Sequence, residues 1–424
     1  MLRTPCFFLL LFFTAVATAG TLVVATPDGE EIPVVTHPAS GGRLFVWFPA
    51  EAGPQAVDAW LAAQLTKRGV EMWRVDLLEA RFLPLADSSL PQVPDTDVAA
   101  VLRRALGDGG KRVFLIASGR SAIPVLRGVR RWQRDGGDDS RFAGVMLISP
   151  KLFVQTPEPG EAAELFPVVA ASNAPIYWLQ PDQSPWYWKV NQVLPVLARG
   201  GSDVFVRVLR GVRDRFYYRP DANGAEDAMR EKLPALLLSA ARALEALPAR
   251  VRRPVAMDIQ PPAVAAGKKA HGLKTYRGDP LPPPLRLPDL SGQPVSLADY
   301  RGRVVLVNFW ASWCPPCVHE MPSMQRLADT LADAPFEILA VNMAESPAVI
   351  RGFLQTKVRV DFPILLDRNG AALKRWQVFA FPTSFVIDKA GRIRYALFGA
   401  AEWDDPAIVT TLRALLAEDG GAGP

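Results

Sequence analysis

Asn308-Phe309-Trp310-Ala311-Ser312-Trp313-Cys314-Pro315-Pro316-Cys317 decides how this chain is read. Its first part continues an apolar run that begins at Val304, the pattern of a strand buried on both faces. Its last part opens residues 315–332, whose apolar positions recur at helical spacing. Proline in the first helical turn costs no hydrogen bond, because the N–H it lacks has no partner there. Cys314 therefore lies where a strand ends and a helix begins. The unpaired N–H groups and positive potential of a helix N-terminus stabilise a thiolate. Cys314 is read as the exposed attacking sulfur, Cys317 one turn on as the buried resolving sulfur, and Trp313 as a cover over one side of the pair. Two cysteines separated by two residues close and reopen a small ring, which makes them a two-electron switch.

The chain has 424 residues and three cysteines. The third, Cys6, falls in a stretch that reads as a secretory leader. Arg3 supplies the positive start, Phe7 to Phe13 the apolar core, and Ala17-Thr18-Ala19 the cleavage pattern, so residues 1–19 are the expected signal peptide. The apolar run is shorter than the roughly 20 residues that span a bilayer; an uncleaved anchor is the alternative. Cys6 precedes the apolar core and is therefore not a lipoprotein acceptor. The expected compartment is the periplasm, where the mature chain keeps one cysteine pair and nothing else that forms a disulfide.

The length predicts two domains. An apolar fraction of 49% and an aromatic fraction of 9% suit folded globular domains, and the formal charge of +5 is mildly basic. The densest basic cluster, Arg127-Gly128-Val129-Arg130-Arg131, reads as a solvated helix face; without aromatic interleaving or a binding motif, no nucleic-acid partner is expected. Residues 250–285 are rich in proline, alanine and basic residues and include Pro261-Pro262 and Pro282-Pro283-Pro284. They read as an extended linker between residues 20–249 and 286–418.

Beyond the linker, Leu287 to Leu297 predicts a hairpin. Phe336–Val341, Phe362–Leu366, Thr383–Ile387 and Ile393–Phe398 predict strands, with helices at 347–357, 370–376 and 406–417. These elements and the cysteine motif are joined by Glu320-Met321-Pro322, Val360-Asp361-Phe362-Pro363-Ile364 and Phe381-Pro382-Thr383-Ser384-Phe385-Val386-Ile387-Asp388. Together they resemble the TlpA/ResA group of thioredoxin-like (redoxin) proteins over all of 286–418. The resemblance implies a C-terminal thioredoxin fold of α/β class, a catalytic set of Cys314, Cys317, Glu320 and Pro382, and substrate contacts from Trp313, Phe381 and Thr383. Pro382 should follow a cis peptide bond and lie against the cysteine pair. Glu320 matches the acid that tunes thiol pKa and moves protons in this group; an ordinary exposed helix glutamate is the bland alternative. Ordinary thioredoxins carry a buried aspartate where this chain has Asn308, which leaves Glu320 as the better proton carrier. The helix at 347–357 resembles the insertion typical of the group.

No cofactor is expected beyond the Cys314–Cys317 disulfide itself. Haem attachment needs a histidine after the second cysteine, where Val318 stands; zinc needs about four ligands, and no second cysteine pair exists. A copper site would want a wider cysteine spacing and a distant histidine, but no histidine follows His319, which is read on the solvent side of its helix. The resemblance implies as partners client proteins with disulfides or thiols, such as apocytochromes or copper-assembly proteins. It also implies a membrane thiol donor of DsbD/CcdA type.

In the first half, Arg43–Phe48, Val70–Val75, Lys111–Ala117, Phe142–Ile148, Ile176–Leu179 and Val204–Leu209 are strand-like. Helical patterns at 55–67, 97–106, 121–133 and 226–246 fall among them, which predicts a doubly wound sheet. Ala117-Ser118-Gly119-Arg120-Ser121 after the third of these strands resembles the nucleophile elbow of the α/β-hydrolase fold, in its VirJ-type virulence-protein branch. Laid on G-x-S-x-G, the nucleophile position falls on Gly119; a shifted frame makes it Ser121. Around Gly211-Val212-Arg213-Asp214 there is no histidine, the only one in this half is His37, and Asp182 at the acid position would have nothing to orient. A catalytically silent docking module is the favoured reading. The Trp186-Tyr187-Trp188 segment either packs in the core or lines a docking surface. A reductase of chosen partners is the leading expectation for the whole. An oxidase or isomerase of secreted proteins, a hydrolase with an accessory thioredoxin head, and an adaptor with a vestigial cysteine pair stay open beside it.

Overall fold

The computed structural model describes residues 19–418 except 87, 108, 158, 160–162, 249, 250, 258 and 260–272. Apart from Ala19, the expected leader lies outside the described residues. The described residues form two large sheets and a third of two strands. The first contains β1 (Gly20–Ala25), β2 (Glu31–His37), β3 (Arg43–Phe48), β4 (Val70–Val75), β5 (Arg112–Ser118), β6 (Phe142–Ile148), β7 (Ile176–Gln183) and β8 (Val204–Arg213), in the order β1-β2-β4-β3-β5-β6-β7-β8. β1, β2 and β4 pair antiparallel, and every other neighbour is parallel. Alternation along the strands separates two cores. Val46, Leu115 and Leu147 face the helices Asp95–Gly107 and Ala122–Arg134. Phe45, Phe114 and Met146 face Ala56–Thr66 and Gly224–Glu245. The sequence reading lacks the β1–β2 hairpin. β1 is a sheet edge that buries only Val24, so it carries almost no alternating signal.

Two expectations need correction. The arginine cluster is not a solvated face throughout: Arg130 is buried and donates to the Met257 carbonyl at 2.7 Å, and Arg127 donates to that of Pro91 at 2.8 Å. Different segments cover the two arginines, that around Met257 covering Arg130 and that around Pro91 meeting Arg127; Gly128 lies against the neighbouring helix, where a Cβ would be 2.4 Å from Val98 Cβ. Only Arg131 keeps the expected surface character, paired with Asp135. The linker is also shorter than 250–285. Arg252 pairs with Asp203 on the first sheet's side, while on the other side residues 274–275 form a strand and Leu285 is buried.

The second sheet contains β9 (Lys274–Thr275), β12 (Val304–Trp310), β13 (Phe336–Met343), β14 (Ile364–Asp367), β15 (Thr383–Ile387) and β16 (Ile393–Phe398), in the order β14-β13-β12-β15-β16-β9. A separate hairpin joins β10 (Arg286–Pro288) to β11 (Pro294–Ser296). β12, β13 and β14 run parallel, whereas β15, β16 and β9 are antiparallel to their neighbours. All seven residues of β12 are buried, as its apolar run requires, and the one polar residue in it, Asn308, is hydrogen-bonded by its side chain. Val304, Leu306 and Trp310 line one core, and Val305, Val307 and Phe309 the other. The buried central strand thus delivers the chain to Cys314 at its C-terminal end. Among the described residues, no helix is long and apolar enough to cross a membrane.

Candidate active site

Cys314 is the N-cap of the helix Pro315–Thr330, and Pro315 occupies its first turn. Cys314 and Cys317 are joined by a disulfide, with Cα atoms 5.3 Å apart. The Cys317 backbone N–H points at Cys314 Sγ at 3.4 Å, so a helix-terminal donor already faces the sulfur that would carry charge after reduction. Cys317 is fully buried. Cys314 is less open than its reading as an exposed attacker implies, at 6% exposure, because it belongs to the same apolar cluster that Trp313 and Phe381 pack against. Those two rings meet edge to face at 5.7 Å. The turn before the cysteine is held by Glu345, which accepts from the Ser312 N–H at 2.7 Å and the Asn342 side-chain amide at 2.8 Å. Sequence reasoning did not find Glu345, since nothing in its local pattern marks it.

The Phe381–Pro382 peptide is cis. Thr383 is buried and donates its hydroxyl to the Ala380 carbonyl at 2.8 Å, which closes the turn around Pro382; Phe381 beside it is half-buried. Thr383 thus props the loop in place of presenting its hydroxyl outward.

Glu320 is fully buried one turn beyond Cys317, which disposes of the exposed-glutamate alternative. Its Oε1 accepts from Asn308 Nδ2 at 2.8 Å, and its Oε2 from the Ala401 N–H and Trp403 Nε1, both at 3.1 Å. Burial pushes its carboxyl up to about 7, with Trp403, Asn308 and Ala401 pulling the other way by favouring the ionised form. Trp403 is itself clasped to the cysteine helix, its backbone N–H donating to Ser323 Oγ at 2.9 Å. Asn308 also donates to Ser384 Oγ at 2.9 Å, its cross-strand partner on β15. His319 stands at the surface, 3.5 Å from Glu402.

The elbow of the first sheet is built differently. Gly119 follows β5 with φ +57°, and a Cβ there would lie 2.6 Å from Glu51 Oε2. That oxygen also accepts the Arg120 N–H at 3.0 Å, while Lys151 and Arg215 pair with Oε1. Burial raises the Glu51 carboxyl, but Lys151 and the Arg120 N–H outweigh it and hold it well below the ordinary range. Ser121 is buried and donates to the Pro49 carbonyl, and Ser118 Oγ accepts from Tyr217 at 2.7 Å. Asp182 accepts the Gly211 N–H at 2.8 Å. The tryptophan segment divides: Trp186 stacks on Phe153 at 5.3 Å, whereas Trp188 packs against the second body.

A parallel-antiparallel sheet whose central strand feeds a helix-capping cysteine pair, opposite a cis-proline turn, defines a thioredoxin-fold thiol-disulfide oxidoreductase. The AhpC/TSA family matches residues 278–396. The thiol-disulfide oxidoreductase ResA of Geobacillus kaustophilus is 38% identical over 123 residues, which cover 29% of this chain and 70% of that one. The thioredoxin-like protein YneN of Bacillus subtilis is 39% identical over 115 residues, covering 26% and 66%. A solved structure of a putative thiol:disulfide interchange protein DsbE from Chlorobium tepidum is 30% identical, with a TM-score of 0.31, and covers 34% of this chain and 100% of that one. The chain belongs to the ResA family of thiol-disulfide oxidoreductases.

Proposed function

We propose that this protein is a periplasmic reductase of client-protein disulfides, acting through Cys314 and Cys317. The observation that carries the reading is the cysteine ring seated on a helix N-terminus with a buried carboxyl, poised near neutral pH, one turn further along the same helix. In the dithiol state, the Cys314 thiolate attacks one sulfur of a client disulfide. The S–S bond breaks, and the other client sulfur leaves as a thiolate that takes a proton from water. Cys317 then gives its proton to the Glu320 carboxylate and attacks Cys314 Sγ. The mixed disulfide breaks, the second client sulfur leaves as a thiol once protonated, and the Cys314–Cys317 bond forms. Two electrons have passed from the pair to the client. A membrane dithiol donor of DsbD/CcdA type returns them, and cytochrome c or oxidase assembly proteins are the client class the family suggests. Pro382 and Phe381 present backbone to the client segment, with Trp313 closing its other side.

The first body is read as α/β-hydrolase-like and catalytically silent. Its strand order and the positive-φ turn after β5 support the first part; a glycine at the nucleophile position and a carboxylate on the neighbouring N–H support the second. Its work is docking, with the proline-rich linker joining it to the redox domain.

The test is insulin reduction by the pre-reduced full chain with a dithiol donor. Turnover lost in Cys314→Ser supports the reading; turnover that persists in that variant refutes it. A reduction potential near those of strong oxidants would instead favour the oxidase or isomerase reading.

A further inference from the structure

The C-terminal edge of the first sheet meets the redox face of the second body. Arg213, at the end of β8, directs Nη1 to the Trp313 carbonyl at 3.5 Å, one residue before Cys314. Lys189, after β7, holds its Nζ 3.8 Å from the centroid of Phe379, which precedes the Phe381–Pro382 turn. Phe153, after β6, meets the same ring edge to face at 6.3 Å. Trp188 fills the space beside Gly370 so closely that a Cβ there would lie 2.5 Å from Trp188 Cε3.

These contacts are built, not incidental. Arg213 is buried and locked by two 2.7 Å bonds to Glu226, with Asp221 at 3.0 Å, so it is a fixed post. Lys189 is 1% exposed, and among the described residues no carboxylate pairs with it. Burial first, and Lys374 second, lower its ammonium to about 8. A lysine buried without a counter-ion costs stability that the face of one aromatic ring offsets only in part. The strand ends of a doubly wound sheet are where such folds hold ligands. In this chain the elbow at that edge is filled by Glu51, and the loops beside it reach the second body.

A client segment pairing beside Pro382 must lie along the Trp313–Phe381 ring pair, and first-body residues stand at both flanks of it, Arg213 at the Trp313 carbonyl and Lys189 and Phe153 at Phe379. We propose that this edge is the second wall of the client cleft. Trp188, Lys189 and Arg213 are its specificity-determining residues, admitting a disulfide on a protruding extended segment and excluding one on a flat folded surface. The inference rests on Cys314 being the attacking sulfur.

The test uses the full chain, comparing the parent with Trp188→Ala and Lys189→Ala on two probes, an unstructured peptide with one disulfide and insulin. Opening the wall should raise the insulin-to-peptide rate ratio by about fivefold or more in both variants. A parent that reduces the peptide, with two folded variants whose ratio is unchanged or lowered, overturns the inference alone. A parent that reduces neither probe overturns the reading of the site and this inference with it.

Discussion

Asn308 donates its side-chain amide to the Glu320 carboxylate at 2.8 Å, tying the central strand to the cysteine helix beneath the redox pair. An amide cannot exchange a proton with a thiol at neutral pH, so Glu320 is the one ionisable partner in this buried network. In the proposed mechanism its proton affinity sets the pH at which Cys317 can be deprotonated.

Below about pH 7 Glu320 is protonated and cannot accept the Cys317 proton; above it, it can. The rate at which client thiol is released in a single turnover, at saturating client, should therefore rise through about pH 7. Glu320→Gln should lose that inflection and slow the step by at least about tenfold. A variant with the parental pH profile would contradict this role.

Trp403 acts through Glu320 as a positioning residue. Trp403→Phe removes one donor to the ionised carboxyl, which raises its pKa further. The same inflection should move to higher pH by about half a unit or more. A slower enzyme with an unmoved inflection would mean that Trp403 only supports the fold.

The buried carboxyl also makes stability depend on pH. The unfolded chain releases this proton near 4.5, whereas the folded chain keeps it to about 7, so between those values the folded state binds more protons. The contribution of Glu320 to stability thus falls as pH rises through that window, by no more than about 3 kcal/mol. In urea unfolding of the oxidised protein, the stability of the parent relative to Glu320→Gln should drop between pH 5 and pH 8. A gap independent of pH would argue against the raised pKa.

At the first-sheet elbow, a side chain at position 119 meets both a left-handed backbone and the Glu51 carboxylate. Gly119→Ser should cost about 1–3 kcal/mol and confer no hydrolysis of p-nitrophenyl acetate. Ser121→Ala should leave the background rate on that ester unchanged, because the hydroxyl is turned onto the Pro49 carbonyl. Ester turnover lost in Ser121→Ala would restore the hydrolase reading.

Much of the redox body was legible because its strands are apolar runs and its helix starts with prolines behind a cysteine; Thr383–Ile387 and Ile393–Phe398 are found at their expected residues. β9 was not, since two residues on a sheet edge leave no period to read. Cys314, Cys317 and Glu320 share one helix and so announce themselves locally. Trp403 reaches Glu320 from beyond the last strand, and Arg213 reaches Trp313 from another sheet, contacts that only the folded chain brings together.

The most direct measurement of the central claim is mass spectrometry of the reduced Cys317→Ala chain after exposure to a disulfide-containing client. The account predicts a client fragment covalently attached at Cys314, absent from Cys314→Ser and rare in the parent, where Cys317 releases it. Equal attachment in the parent, or none at Cys314, would contradict it.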